Sequence, residues 1–147
     1  MNKILIVEST LHRKIASRSL EVAQNILQHN NTEHMVVSVT NPLNIATAIN
    51  LSIEAYNFEG VVALGCIFYG SFYNEILIKE CLRSISDVSL DCVLPVGFGI
   101  IASQHEKEAT ELLEAVVTDA VHSCLQLIKA KNQLHFIEDD QYSKYRN

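Results

Sequence analysis

Val61-Val62-Ala63-Leu64-Gly65-Cys66-Ile67-Phe68-Tyr69-Gly70-Ser71-Phe72-Tyr73-Asn74-Glu75 is the stretch whose reading decides the fold. An apolar strand over residues 60–64 enters a turn flanked by Gly65 and Gly70, and the turn feeds an amphipathic helix over residues 74–86. The first N–H groups of a helix have no earlier carbonyl to donate to. A strand–turn–helix junction of this kind therefore holds an anion or a small polar molecule at the end of a sheet. The two glycines also serve the plainer purpose of letting the chain turn tightly.

The same alternation extends in both directions. Upstream, Ile4-Leu5-Ile6-Val7 is an unbroken apolar run, the mark of a strand covered on both faces and hence of a parallel sheet. Over residues 13–28, Ile15, Ala16, Leu20, Ala23, Ile26 and Leu27 recur at helical spacing until the polar cluster from His29 to Glu33 stops them. Met35-Val36-Val37-Ser38-Val39 reads as a strand, Asn41-Pro42-Leu43-Asn44 as a turn and residues 45–56 as a helix. Downstream, residues 92–101 supply a fourth strand. Ser103, with Glu106 three residues on, matches a capping box for a helix reaching residue 131.

The order βαβαβαβα predicts a three-layer αβα sandwich, a flavodoxin-like doubly wound parallel four-stranded sheet, because right-handed crossovers place helices on both faces. Sites in such sheets lie at the carboxyl ends of the strands. Those ends are read at residues 8–12, 40–44, 65–74 and 98–103. Residues 1–132 form one domain on this reading. Residues 133–147 lack a clear period and are read as a tail, either an ordered arm or a frayed end.

With 147 residues and 48% hydrophobic content, the chain suits one domain with a substantial core. Asp and Glu outnumber Lys and Arg by 17 to 11 and the basic residues are scattered, so no nucleic-acid partner is expected. The apolar run near Met1 is too short for a signal peptide and no segment has the length of a membrane span; the expectation is a cytoplasmic protein with no membrane partner. Cys66, Cys81, Cys92 and Cys124 form no CxxC pair and are read as buried thiols. The six histidines include no HxH or HxxxH pair, so no metal site is predicted.

Leu64-Gly65-Cys66-Ile67-Phe68-Tyr69-Gly70 before a helix, and Leu94-Pro95-Val96-Gly97-Phe98-Gly99-Ile100-Ile101 after it, resemble the two best-marked segments of the 6,7-dimethyl-8-ribityllumazine synthase family. The resemblance extends more weakly from Lys3 to about Lys131. It implies the penultimate step of riboflavin synthesis, in which 5-amino-6-(D-ribitylamino)uracil condenses with 3,4-dihydroxy-2-butanone 4-phosphate, losing phosphate and water. It also implies no cofactor, and a homo-oligomer of pentamers or larger shells whose active sites lie between subunits.

Carried over residue by residue, the resemblance puts the pyrimidine-stacking position at Leu11 and the ribityl-binding turn at Pro42, Leu43 and Asn44. Cys66, Ile67 and Phe68 line the pyrimidine pocket, and Gly70, Ser71 and Phe72 receive the phosphate. The catalytic histidine position falls at Asn74. From the neighbouring subunit, Phe98 is the pocket aromatic and Leu112 stands where the family has a phosphate-pairing arginine; the Gly-Asn-Lys-Gly loop has no counterpart between Leu112 and Cys124. An amide at 74 exchanges no proton near neutral pH. His12 and His105, both just past strand ends, are read either as solvated loop residues or as a replacement base. Arg13, Lys79, Arg83 and Lys107 are read as surface charges or as sources of phosphate charge. Two further readings remain open: an oligomeric assembly of the same family that binds or builds without catalysis, and a flavodoxin-like signalling or flavin module.

Overall fold

The computed structural model describes residues 3–140, with side chains to residue 136. Four strands, β1 (Lys3–Ser9), β2 (Glu33–Val39), β3 (Gly60–Phe68) and β4 (Val96–Ser103), alternate with four helices, α1 (Arg13–His29), α2 (Ile45–Ala55), α3 (Phe72–Asp91) and α4 (Glu106–Asp140). A single 3-10 turn, Pro42–Asn44, precedes α2. All ladders are parallel and the strand order is β2-β1-β3-β4. This is the doubly wound three-layer arrangement expected from the alternation of elements.

Period-2 alternation explains why the central strands are apolar throughout. On β1 and β3, Ile4, Ile6, Val62, Leu64 and Cys66 point toward α1 and α4, while Leu5, Val7, Val61, Ala63 and Ile67 point toward α2 and α3. Each strand therefore serves two cores, and residues 4–7 of β1 are wholly buried. α4 packs directly on β4. A Cβ placed on Gly97 would lie 1.8 Å from the carbonyl oxygen of Ala120, so only glycine allows the helix to sit this close.

Several boundaries differ from those read in the sequence. β3 continues to Phe68, so the turn is residues 69–71 and Gly65 belongs to the strand. Only Gly70, at φ +131°, uses the conformational freedom of glycine in this junction. α3 begins at Phe72 and runs to Asp91, so Cys92, Val93, Leu94 and Pro95 form a connection and β4 starts at Val96. Val93 turns the chain there at φ +50°, and Cys92 is exposed, whereas Cys66, Cys81 and Cys124 are buried.

Ser103 is the last residue of β4 and its hydroxyl donates to the His105 carbonyl. The start of α4 is instead closed by His105, whose Nδ1 accepts from the Glu108 N–H at 3.2 Å, while Glu108 Oε2 accepts from the Gln104 N–H at 3.5 Å. Residues 133–140, read as lacking a period, continue α4. The rest of the expected tail lies outside the described residues. No described helix is long and apolar enough to cross a membrane.

Candidate functional site

Strand order 2-1-3-4 reverses direction between β1 and β3, and ligands of such sheets bind in the crevice outside the carboxyl ends at that reversal. Here the crevice is bounded by the loop of residues 10–12 after β1 and by residues 69–71 after β3. The β1–β3 pairing ends at Glu8↔Leu64, while β3 stays paired with β4 to Phe68↔Ser103. Four residues of β3 thus outrun the β1 ladder, which leaves this stretch without a strand on its β1 side, the Phe68 carbonyl there being taken by the Asn74 amide.

The turn itself is tied down by main-chain and capping bonds. Tyr69 N–H donates to the Ser103 carbonyl at 2.9 Å. Ser71 caps α3, its hydroxyl accepting from the Asn74 N–H at 3.1 Å, and the Asn74 side-chain amide donates back to the Phe68 carbonyl at 2.7 Å. Among the described residues no acceptor meets the N–H groups of Phe72 and Tyr73. They are the first two of the helix, where an anion gains from both orphan donors and dipole. Removing the cap with Ser71→Ala is expected to lower stability by about 1 kcal/mol, read as a shift in the urea midpoint, with Ser71→Asp retaining it; an unchanged midpoint for the alanine variant would count against the cap.

Across the crevice, His12 is half-buried and its ring stacks on Phe68, with centroids 4.0 Å apart and planes inclined by 24°. A cavity of about 260 Å3 opens beside the pair, lined by Leu11, His12, Arg13, Lys14, Ile15, Phe68 and Glu106. Burial holds the imidazole below its ordinary pKa, partly offset by the Glu106 carboxylate. Wider grooves of about 790, 440 and 330 Å3 lie at the opposite, amino end of the sheet, beside residues 30, 32, 58, 59, 94 and 95.

The remaining sequence-predicted residues divide by reach. Leu11 is exposed at the cavity mouth, Pro42 is buried in the 3-10 turn, and Leu43 and Asn44 are exposed beside it. Cys66 and Ile67 bury their side chains on opposite faces of β3, so only their main chain is available to a ligand. Gly70, Ser71 and Phe72 form the turn and first helical residue. Phe98 pairs with Ala63, five positions before the last β3–β4 pair and two before the Gly65↔Ile100 pair, about 7 Å below the near end of that stretch at about 3.3 Å per residue, and it packs on the core against α2 and α3. Leu112 is exposed on α4.

Arg83 is engaged by Glu80 and Asp87 at 2.8 and 2.6 Å. Arg13 and Lys14 are the cations that line the cavity. Tyr69, Phe72 and Tyr73 are exposed and do not line it, so in the single chain they leave it open. The sequence presents Glu106 only as a cap partner; its place opposite His12 depends on where α4 starts, which the Ser103 spacing conceals. Among the described residues no three His, Cys, Asp or Glu side chains come together as a metal-holding group.

Residues 1–132 match the profile of the family described as 6,7-dimethyl-8-ribityllumazine synthase. The protein of that name from Afipia carboxidovorans is 30% identical over 142 residues, covering 90% of this chain and 87% of its own length. Its namesake from Azorhizobium caulinodans is 33% identical over 115 residues, covering 74% of this chain and 71% of its own. The one from Methylocella silvestris is 33% identical over 113 residues, covering 73% and 69%. A profile match over residues 1–132, with a relative 30% identical over 90% of this chain, means that the chain belongs to the 6,7-dimethyl-8-ribityllumazine synthase family.

Proposed function

We propose that this protein is a 6,7-dimethyl-8-ribityllumazine synthase, condensing 5-amino-6-(D-ribitylamino)uracil with 3,4-dihydroxy-2-butanone 4-phosphate in riboflavin biosynthesis. The observation that carries the reading is family membership over residues 1–132 together with an open crevice at the β1–β3 reversal. Main-chain groups of Cys66, Ile67 and Phe68 face the pyrimidine, Leu11 covers it, and Asn44 bonds the ribityl hydroxyls. Gly70, Ser71 and Phe72 receive the phosphate at the start of α3, where two unpartnered N–H groups support the assignment. Phe98 completes the crevice of a neighbour alongside Leu112, which makes the active form a homo-oligomer of pentamers or their multiples. The domain is residues 1–132, the reaction needs no cofactor, and the protein works in the cytoplasm.

Catalysis rests mainly on holding two reactants together, which lowers a barrier by several kcal/mol without any ionisable group. Mixing both substrates with the protein is expected to produce lumazine fluorescence faster than buffer alone. A rate equal to buffer at every pH tested would remove the synthase reading.

One observation favours a second reading. The Asn74 amide, at the position of the family's catalytic histidine, is bonded to the Phe68 carbonyl and supplies no proton. A non-catalytic assembly that binds the pyrimidine would show heat of binding to a substrate analogue in calorimetry with no turnover.

A further inference from the structure

We propose that His12 is the proton-transfer group of this crevice, reaching the condensing atoms from the β1–α1 loop with Glu106 opposite it; this role rests on the synthase reading above. Three observations lead there. His12 stands at the reversal point between β1 and β3, stacked on the Phe68 ring at the end of the strand that outruns the β1 ladder. It lines the cavity beside that strand end together with Leu11. Its ring nitrogens accept and donate no hydrogen bond among the described residues, whereas His105, the other histidine on this face, has its Nδ1 committed to the start of α4. His29, the last residue of α1, is bonded to the Asn25 carbonyl, and His34, on β2, to Gln24.

The chemistry asks for one group that takes a proton and returns it. The lone pair of the pyrimidine's 5-amino nitrogen forms a bond to the ketone carbon while the C=O π pair moves to oxygen. Neutral imidazole removes a proton from the resulting ammonium nitrogen. The imidazolium returns that proton to the alkoxide, giving the neutral carbinolamine; the imidazole then takes the second N–H proton and delivers it to the carbinol hydroxyl, which leaves as water as the C=N bond forms, and the imidazole is neutral again. Burial keeps His12 in the neutral, proton-accepting form near neutral pH, and Glu106 stabilises the imidazolium formed in between. The charged groups around the cavity are Glu106 from α4 and Arg13 and Lys14 from α1; β3 contributes the uncharged Phe68 ring.

The test is a comparison of kcat, KM and pH profile for the wild type, His12→Gln, His12→Phe and Glu106→Gln, with thermal unfolding of each. His12→Gln is expected to lower kcat by about 10²–10⁴-fold and to abolish the acid limb of the profile, leaving KM within about threefold. His12→Phe keeps a ring stacked on Phe68 but carries no proton, so a native-like melting temperature with the same loss of kcat separates proton transfer from packing. Glu106→Gln removes the charge that raises the imidazole pKa, so its acid limb moves to lower pH. Wild-type kcat with an intact acid limb in either His12 variant would overturn the role while leaving the synthase reading in place. Absence of turnover in the wild type itself would remove that reading, and this role with it.

Discussion

Gly97→Ala is expected to destabilise the protein by about 3 kcal/mol or more, a large part of the 5–15 kcal/mol typical of a domain. The added methyl would lie 1.8 Å from the Ala120 carbonyl oxygen and 2.7 Å from its carbon, and these atoms belong to the backbone of α4. No rotamer change relieves such a contact. Either α4 lifts off β4, opening the core around Val117, Ala120 and Val121, or β4 buckles. Gly65→Ala provides the control. It also sits inside a parallel strand, but its new methyl would meet the Ile100 Cδ1 at 3.3 Å, the far end of a flexible side chain, and is expected to cost less than about 1 kcal/mol. Urea unfolding of the two variants decides it: equal midpoints would mean that α4 and β4 are not packed as described.

Alkali is expected to weaken the fold as pH rises above the ordinary thiol value of 9.0. Burial pushes the Cys66 and Cys81 thiols up to about 11 and Cys124 to about 12, against an ordinary value of 9.0. In the unfolded chain these thiols release their protons near pH 9, while the folded chain holds them until about pH 11. Above pH 9 the unfolded state therefore binds fewer protons, and the stability present below that pH is lost as pH rises through the folded values. Each buried thiol contributes at most about 1.4 kcal/mol per pH unit in that window. Cys81 adds a direct loss, since its Sγ–H donates to the Pro42 carbonyl at 3.5 Å and a thiolate has no proton to donate. Urea midpoints measured from neutral pH into this range should fall steeply for the wild type and less steeply for Cys66→Ala/Cys81→Ala. Parallel slopes would show that the thiols are not the cause.

What the amino-acid sequence reveals of this molecule follows the range of the interactions involved. The unbroken apolar runs in β1 and β3 announce strands covered on both faces, and helical spacing announces α1. Those signals are local, and the layer architecture follows from them through crossover handedness. The extent of β3 was less visible, because Gly65 and Gly70 look alike as residues; what separates them is that Gly65 rests against Ser9 and Ile100, while Gly70 stands clear at φ +131°. The apolar neighbours of Cys92 suggest a core thiol, yet Val93 turns the chain and leaves Cys92 exposed.

The site was legible in its backbone and less so in its side chains. The turn after β3 and the start of α3 are marked by Gly70 and Ser71, and a family resemblance locates them. His12 could be placed on the correct face, but its stack on Phe68 joins residues 56 positions apart and has no local signature. Glu106 was hidden by a capping pattern at Ser103 that the chain does not use. The start of α4 is closed by imidazole, which is outside the usual set of capping side chains.

The loop after β3 is held by the Tyr69 N–H on the Ser103 carbonyl, the Ser71 cap and the Asn74 amide on the Phe68 carbonyl, while the side chains of Tyr69, Phe72 and Tyr73 project away from those bonds. Shape and decoration are thereby uncoupled at this rim. Randomised libraries at those three aromatic positions would vary molecular recognition on an unchanged scaffold, which makes the rim the natural place to redirect this protein toward other ligands.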